Sequence, residues 1–496
     1  MSPTLDDITR QKLEKIAALR AAGIEPFPYG YHRTYTTRQA LDIVEQNKAN
    51  LASQEFKVNV AGRIMAKRGM GKTAFMDLRD GSDKIQLFFR INNLANKYDL
   101  VKDIDIGDII GAKGKLFLTR SGEPTIEVED FTLLAKALRP LPEKWHGLSD
   151  VEKRYRQRYV DFISNPEIKK IFETRSRTIS SIRDFLNKRG FLEVETPVFQ
   201  AEAGGATARP FITHHNALDR DFYLRIALEL HLKRLIVGGF DKVYELGRIF
   251  RNEGIDFKHN PEFTMLESYE AYADYHDVMK TVEDMVSAVC QEVMGTQKVE
   301  YNGQIIDFTP PWKRMELRQA VIQYAGLDYD QFPDTDSLRA EMLRRGMQFD
   351  LKKERGKLID ELISTYIDPN MIQPVILFDY PIELSPLAKK KPGDKKTVER
   401  FEAYAGGMEI ANAFTELNDP LDQRERFQKQ IEERDAGDTE APQIDEDFLL
   451  AMEYGMPPTG GLGVGLDRLV MIFANQQSIR EVILFPTLRE EGEKKS

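Results

Sequence analysis

Residues 244–269, YELGRIFRNEGIDFKHNPEFTMLESY, decide the fold of this chain. Two apolar, strand-like runs flank a polar link. The link holds four residues that favour turns, namely Asn252, Gly254, Asn260 and Pro261. The pattern therefore predicts a long antiparallel hairpin.

This hairpin carries more charge than a bare hairpin needs. The charged and titratable residues are Arg248, Arg251, Glu253, Lys258, His259, Glu262 and Glu267. An arginine within a strand fits a fixed phosphate or carboxylate, because its planar guanidinium binds such groups through two hydrogen bonds. The segment therefore predicts an anion-binding site.

Composition sets the broad class of the protein. A chain of 496 residues exceeds one ordinary core, and its 41% hydrophobic and 30% charged residues fit a soluble globular protein. No apolar run approaches a membrane span, and the N-terminus lacks the apolar core of a signal peptide. The single cysteine, Cys290, excludes an intramolecular disulfide framework. We therefore expect a cytoplasmic protein without membrane contact; its net charge of −10 neither indicates nor excludes nucleic acid.

From residue 56 the hydrophobic period changes to two. Five strand-like runs, separated by turns and interrupted by one helix near 94–101, lie at 58–64, 74–79, 84–89, 108–112 and 125–128. Five strands with one helix suit a small Greek-key barrel of the OB type, whose face binds single-stranded oligonucleotides, although other small β folds fit the same pattern.

The segment 66–73, AKRGMGKT, is close to a phosphate-binding P-loop but lacks its first glycine and is followed by a strand pattern, so we expect a basic β-turn instead. Its basic residues, Lys67, Arg68 and Lys72, lie near Phe75 in the sequence. Charge beside an aromatic ring is typical of single-strand binding, and the alternative is a solvated turn with a core phenylalanine.

Three carboxylates recur every seventh residue, at Glu402, Glu409 and Glu416. Gly406 and Gly407 interrupt a helix there, and residues 408–414 alternate like a strand. Strict alternation points Glu409 away from the face that holds Asn412 and Glu416, unless a bulge intervenes. Buried carboxylates need cations, and Mg²⁺ or an ammonium group would serve. The alternative is an ordinary acidic surface patch.

The segment 250–267, FRNE-(x)5-HNPEFTMLE, resembles motif 2 of class II aminoacyl-tRNA synthetases in its lysyl form. A helix at 168–189 and a strand ending at Pro197 resemble motif 1, and GLGVGLDR at 461–468 resembles motif 3. The resemblance extends over nearly the whole chain. It implies an α+β fold, with an N-terminal OB-type β-barrel and a catalytic domain built on an antiparallel sheet flanked by helices.

The implied domains are a helical extension at 1–55, an anticodon-binding OB domain at 56–140, a linker at 141–165 and a catalytic domain at 166–496 with a helical insertion at about 310–370. The implied activity is ligation of lysine to lysine tRNA with ATP by a homodimer. The implied cofactor is Mg²⁺ bound with ATP, without zinc or an organic cofactor.

The resemblance also assigns residues to roles. Catalysis would rest on Arg251 and Arg468. ATP would be bound by Arg251, Glu253, His259, Asn260, Phe263 and Arg468, and Mg²⁺ by Glu402 and Glu409. Lysine would be bound by Gly205, Glu229, Arg251, Glu267, Tyr269, Asn412 and Glu416. The central uridine of the anticodon would be read by Arg68, Phe75, Gln86 and Glu123.

Three alternatives remain open. An aspartyl or asparaginyl enzyme shares the domain plan, but an acidic pocket disfavours an anionic or neutral substrate. A lysine ligase that acts on a translation factor would lack the barrel. A non-enzymatic RNA binder with a decayed synthetase domain would not need to keep Arg251, Glu402, Glu409 and Arg468.

Overall fold

A computed structural model describes residues 5–51, 53–142, 150–206, 208–435 and 444–490. Residues 1–149 and 150–496 form two compact units, described separately below. Part of the predicted linker, 143–149, lies outside the described residues. Within the described ranges, no helix is both long enough and apolar enough to cross a membrane.

The first unit is built around a barrel. Its elements are α1 (Leu5–Ala21), α2 (Thr37–Gln46), β1 (Lys57–Met70), β2 (Thr73–Arg79), β3 (Lys84–Arg90), α3 (Ile91–Leu94), a 3₁₀ helix (Ala95–Asp103), β4 (Ile109–Leu118) and β5 (Pro124–Ala135). Among the described residues the strands close in the order β1-β2-β3-β5-β4, which confirms the predicted barrel. A strand follows Thr73, so the rejection of a P-loop is also confirmed.

The second unit contains the remaining elements. Its helices are α4 (Val151–Arg156), α5 (Arg158–Ser164), α6 (Lys169–Lys188), α7 (Glu229–Val237), α8 (Tyr275–Met294), α9 (Leu317–Ala325), α10 (Thr335–Arg344), α11 (Arg355–Leu362), α12 (Pro420–Asp435), α13 (Glu446–Glu453), α14 (Leu466–Phe473) and α15 (Ile479–Val482). Short 3₁₀ helices lie at Pro166–Ile168, Tyr329–Gln331, Asp368–Asn370 and Ile382–Leu384, and a π-helical turn lies at Ile363–Ile367.

Its strands are β6 (Leu192–Glu193), β7 (Phe199–Gln200), β8 (Ile212–His215), β9 (Arg220–Leu224), β10 (Lys242–Phe250), β11 (Glu262–Ala271), β12 (Lys298–Tyr301), β13 (Gln304–Asp307), β14 (Lys313–Glu316), β15 (Val375–Pro381), β16 (Thr397–Ala405), β17 (Met408–Thr415) and β18 (Thr459–Gly465).

One large sheet organises this unit. In the described part of the chain it has eight strands in the order β14-β15-β16-β17-β18-β11-β10-β6, antiparallel except at its two edges. The predicted hairpin is β10–β11, with Val243 opposite Tyr269 and Ile249 opposite Phe263. The long hairpin is therefore confirmed and occupies one half of the sheet.

The two faces of this sheet differ in chemistry. One face packs its apolar residues, such as Leu266, Phe401 and Leu462, into a core shared with α6, α8 and α14. Because side chains alternate along a strand, the residues between them, such as Glu267, Glu402 and Gly461, point to the opposite face. The sheet thus presents polar residues on one face and packs its other face into the apolar core.

The strand predicted at 191–197 is shorter in the structure, where β6 covers Leu192–Glu193. Beyond it the Val194 N–H still donates to the Tyr244 carbonyl of β10 at 2.9 Å, and the Thr196 N–H then donates to a side chain, Glu245 Oε2, at 3.1 Å. The helix before this strand spans Lys169–Lys188, close to the prediction, and Gly190 follows it with a φ of +82°.

Candidate functional site

The hairpin fixes Arg251 at the end of β10. Its backbone N–H donates to the Pro261 carbonyl at 2.9 Å, so the two ends of the link are joined at this point. Its Nε donates to the Ile226 carbonyl at 3.3 Å, and its guanidinium lies 5.2 Å from the ring centroid of Phe263. Burial lowers the pKa of Arg251 and the nearby charge of Glu253 raises it. The result is a fixed cation suited to a phosphate or carboxylate.

A second arginine lies at the same end of the hairpin. Arg468, at the start of α14, donates through Nη1 to the carbonyl and Oε2 of Glu409, at 2.9 and 3.1 Å. Its Nη2 lies 3.4 Å from His259 Nε2, while His259 Nδ1 lies 2.8 Å from Asp256 Oδ2. The predicted nucleotide residues His259 and Arg468 therefore touch, although they are far apart in sequence.

The remaining residues predicted to bind nucleotide lie on the same link. Asn260 is buried and donates through Nδ2 to the Glu262 carbonyl at 2.6 Å, whereas its Oδ1 is buried without a hydrogen bond from the described residues. Glu253 is exposed, and its backbone N–H donates to the Arg251 carbonyl at 2.9 Å. Asn260 thus offers an unused acceptor at this end of the hairpin.

A bulge in β17 determines which carboxylates share a face. Tyr404 pairs with Glu409, but Ala403 pairs with Ala411, so Ile410 is the extra residue. Both Ile410 and Ala411 belong to the apolar core, and Glu409 and Asn412 point to the opposite, polar face. The bulge, whose presence the sequence did not decide, is therefore present, and it brings Glu409 and Asn412 to one face of the sheet.

Glu402 is held in a buried hydrogen-bond network. Its Oε2 accepts from the hydroxyls of Tyr380 and Tyr404 at 2.9 and 2.5 Å, and its Oε1 is bonded to Arg400. Arg400 Nε also donates to Asn412 Oδ1 at 3.1 Å. One guanidinium therefore connects a carboxylate predicted to bind metal with an amide predicted to bind the amino acid.

Glu402 and Glu409 form the candidate metal site. Burial raises the pKa of Glu409, and the negative charge of Glu402 raises it further, as expected for neighbouring carboxylates. Within the described ranges, no group of three or more His, Cys, Asp or Glu side chains has a metal-binding arrangement. Mg²⁺ often uses only one or two carboxylates plus phosphate oxygens, so this pair fits the ion as a partner of a bound nucleotide.

Three further carboxylates, Glu229, Glu267 and Glu416, are buried near each other. Glu267 accepts from the Leu228 N–H at 2.9 Å and from the Tyr269 hydroxyl at 3.0 Å. Burial raises the pKa of Glu267 to about 7, and the charge of Glu229 adds to this rise. Burial likewise raises the pKa of Glu416 to about 8, although Lys233 lowers it. Such a cluster is costly unless it binds cations.

Two glycines make room for this acidic cluster. Gly205 has a φ of +86°, and a Cβ at this position would lie 3.2 Å from the Glu229 Cβ. Gly461 on β18 leaves the space that the Glu416 carboxylate occupies, and a Cβ there would also lie 2.7 Å from the Tyr269 ring. Five of the seven predicted pocket residues therefore lie close together, namely Gly205, Glu229, Glu267, Tyr269 and Glu416.

The barrel brings together the four residues predicted to read a base. Arg68 on β1 pairs with Phe75 on β2, and the Phe75 ring stacks on Phe88 at 4.5 Å. Gln86 Nε2 donates to Glu123 Oε2 at 3.1 Å. Phe75 is partly exposed, which disfavours the alternative of a purely core phenylalanine. The arrangement offers an aromatic surface beside amide and carboxylate groups.

Sequence reasoning missed three charged residues that shape these sites. Lys233 and Arg400 lie among the carboxylates of the second unit, and Asp77 pairs with Gln86 on the barrel face. A signal existed for Lys233, because Glu229 and Lys233 are spaced for contact on one helix. Arg400 precedes Glu402 by two residues on β16, the spacing of one strand face.

Comparisons with known proteins agree with this geometry. Residues 150–489 match the family described as tRNA synthetases class II (D, K and N), and residues 58–134 match the OB-fold nucleic acid binding domain.

Similar proteins span the full chain. A lysine–tRNA ligase from Dehalococcoides mccartyi is 57% identical over 489 residues, which is 98% of each chain. Lysine–tRNA ligases from Moorella thermoacetica and Roseiflexus castenholzii are 53% and 52% identical, each over 98% of this chain and 99% of the relative.

Proposed function

The chain belongs to the class II tRNA synthetases of the D, K and N group, and on this basis we propose how its polar sheet face performs the reaction. The enzyme is a lysine–tRNA ligase, as are relatives that match it from end to end. It joins lysine to ATP, giving lysyl-adenylate and pyrophosphate, and then transfers the lysyl group to the 3′ end of lysine tRNA. The observation that carries the choice of amino acid is the buried cluster of Glu229, Glu267 and Glu416.

In the first step, a carboxylate oxygen of lysine attacks the α-phosphorus of ATP, and the bond from that phosphorus to the bridging oxygen of pyrophosphate breaks. Arg251 holds the α-phosphate and the substrate carboxylate, and it neutralises the charge that develops at phosphorus. The attacking carboxylate is already ionised, so this step needs no general base. Positioning and charge neutralisation supply most of the acceleration.

ATP lies against the hairpin and β18. Phe263 stacks on adenine, Glu253, His259 and Asn260 hold the nucleotide, and Arg468 binds the γ-phosphate. Support comes from the contact of Arg468 with His259 and from the unused Oδ1 of Asn260. Glu402 and Glu409 would hold Mg²⁺, which, when bound, neutralises the phosphate oxygens.

Lysine lies in the acidic pocket with its two ammonium groups on different carboxylates. Glu267 takes the α-ammonium, because its charge is close to that of Arg251, which takes the α-carboxylate. Glu229 and Glu416 take the ε-ammonium. Gly205, Tyr269 and Asn412 line the pocket. In the second step the terminal ribose hydroxyl of the tRNA attacks the lysyl carbonyl carbon, and AMP leaves with its phosphate oxygen.

Three further proposals follow from the family. Arg68, Phe75, Gln86 and Glu123 read the central uridine of the anticodon, which the exposed aromatic face of the barrel supports. The enzyme is a homodimer formed through α6 and β6, the elements that resemble motif 1. It acts in the cytoplasm.

ATP–pyrophosphate exchange with the purified protein and each amino acid tests the choice of substrate. We expect exchange with lysine and none with aspartate or asparagine, and the reverse pattern would overturn the assignment. Charging of lysine tRNA transcripts then separates a tRNA ligase from a lysine ligase that acts on a translation factor. Failure to charge any tRNA despite lysine-dependent exchange would favour the second activity.

A further inference from the structure

Lys233 is a buried cation inside the acidic pocket. Its side chain on α7 has no solvent exposure, and its Nζ lies 2.5 Å from Glu229 Oε1 and 2.5 Å from Glu416 Oε2. The same Nζ lies 5.9 Å from the ring centroid of Phe448. Through these two carboxylates, the side chain of Lys233 connects α7 to the segment that follows β17.

This arrangement is more than an ordinary helix-surface pair. Glu229 and Lys233 have the spacing of a solvated i,i+4 pair, which contributes little to stability at a surface. Here both are buried, and a second buried carboxylate, Glu416, shares the same ammonium. Removing charges from water is costly, so a site that keeps three of them has a reason beyond stability.

The charges of the pocket can be counted. With lysine bound and both carboxylates ionised, Glu229, Glu416 and Lys233 together carry one net negative charge, which matches one ε-ammonium group. Glu267 and Arg251 carry the charges that match the α-ammonium and the α-carboxylate of the same amino acid. Without Lys233, the side-chain end of the pocket would carry two negative charges for one positive charge of the substrate.

We propose that Lys233 is a positioning residue that sets the side-chain end of the lysine pocket to one net negative charge and orients Glu229 and Glu416 toward the incoming ε-ammonium. This inference rests on the proposed use of that pocket for lysine. It makes the pocket specific for a singly charged cationic side chain, because a neutral side chain would leave one buried negative charge unpaired.

The proposal predicts that the sign of the Lys233→Met effect depends on Glu229. In the wild-type background, Lys233→Met removes the cation that lowers the pKa values of Glu229 and Glu416, so lysine must displace protons that are held more tightly than in the wild type, and we expect the KM for lysine to rise about tenfold. Glu229→Gln alone leaves Lys233 and Glu416, a pocket of zero net charge, and should raise the KM for lysine by at least about tenfold.

Adding Lys233→Met to Glu229→Gln restores one net negative charge. We therefore expect the double variant to have a lower KM for lysine than Glu229→Gln alone, with the KM for ATP within about twofold of wild type in all variants. If Lys233 only filled space, the second substitution would raise the KM for lysine again. A double variant whose KM for lysine is not lower than that of Glu229→Gln overturns the proposal.

The matched control is Lys136→Met. Lys136 is also fully buried and lies 2.7 Å from both Asp105 and Asp108, but it belongs to the barrel unit. We expect this variant to unfold at a lower temperature and to keep the wild-type KM for lysine. If Lys233→Met does not fold, the comparison of the double variant with Glu229→Gln still decides. Wild-type protein without lysine-dependent exchange would instead contradict the proposed function.

Discussion

The carboxylate of Glu416 occupies the volume that a side chain on Gly461 would need. Gly461 lies on β18, and Glu416 follows β17, so the two meet where β17 ends and β18 begins. A methyl group at Gly461 would overlap Glu416 Oε1 and would also approach Tyr269. The glycine-rich strand therefore leaves room for one carboxylate of the buried acidic cluster.

Gly461→Ala should displace Glu416 and raise the KM for lysine by about tenfold or more, since a shift of about 1 Å in a binding group has effects of this size or larger. The KM for ATP should change by less than about twofold. Steady-state ATP–pyrophosphate exchange measures both constants. The control is Gly81→Ala in a turn of the barrel unit, where a Cβ would have no heavy atom within 4 Å. A normal KM for lysine in Gly461→Ala would contradict this account of the pocket.

Glu416→Gln should raise the KM for lysine far more than the KM for ATP. The variant keeps the shape of the side chain and removes one charge from a buried pair, a loss of about 3 kcal/mol or roughly a hundredfold in binding. Glu270→Gln, on β11 with its partner Lys242, is the control. Equal increases in the KM values for lysine and ATP would contradict the assignment of Glu416 to the pocket for the lysine side chain.

Lysine binding should depend on pH. The pKa values of Glu267 and Glu416, about 7 and about 8, lie above that of an exposed glutamate. These two groups therefore stabilise the empty protein fully below about pH 4.5, and this stability is lost as the pH rises through 7 and 8.

Bound lysine favours the ionised carboxylates, so its affinity should increase between about pH 6 and 8, by up to about tenfold per pH unit for each proton released. Isothermal titration calorimetry of lysine binding at several pH values, in buffers of different ionisation enthalpy, measures the number of protons released on binding. Glu267→Gln should reduce the slope. A dissociation constant that does not change over this range would contradict the assignment of the pKa values.

Arg251→Lys should lower kcat for adenylate formation by about a thousandfold, because an ammonium cannot form the two parallel bonds of a guanidinium. Quench-flow measurement of the first turnover separates this loss from weaker ATP binding. Arg248→Lys on the same hairpin is the control, since Arg248 is exposed and lies 3.5 Å from Glu262. A wild-type first-turnover rate in Arg251→Lys would contradict the catalytic role proposed for Arg251.

Phe75→Ala should raise the KM for lysine tRNA about tenfold and leave ATP–pyrophosphate exchange unchanged, because loss of one stacked base costs about 1–3 kcal/mol. Replacing the central anticodon uridine by cytidine should weaken charging by the wild-type enzyme. If Phe75 reads this base, the two losses should not add when combined. Full additivity would place the contact at another nucleotide.

The hairpin was predictable because its information is local. Its alternating apolar residues and the turn formers of its link specify strand, turn and strand without reference to other elements, whereas the register of Val243 with Tyr269 is known only from the structure. Arg251 stood out for the same reason, since a charged residue beside a buried strand needs a partner.

Other parts of the site depend on contacts between distant segments. Sequence alone could not place Arg400 between Glu402 and Asn412, because that contact needs the register of β16 with β17. The role of Lys233 was hidden since Glu416, its second partner, lies 183 residues further along the chain. The i,i+4 spacing on a helix could have indicated the contact of Lys233 with Glu229, but not the burial of this pair.

Because Ile410 is an extra residue in β17, the number of residues in this strand matters as much as their identity. Deleting Ile410 would remove the irregularity and leave Glu409 and Asn412 two positions apart, on one face of a regular strand, whereas keeping Ile410 without the bulge would point them to opposite faces. The number of residues between Glu409 and Asn412 therefore matters: one added residue, without a second bulge, would point these two side chains to opposite faces of the sheet.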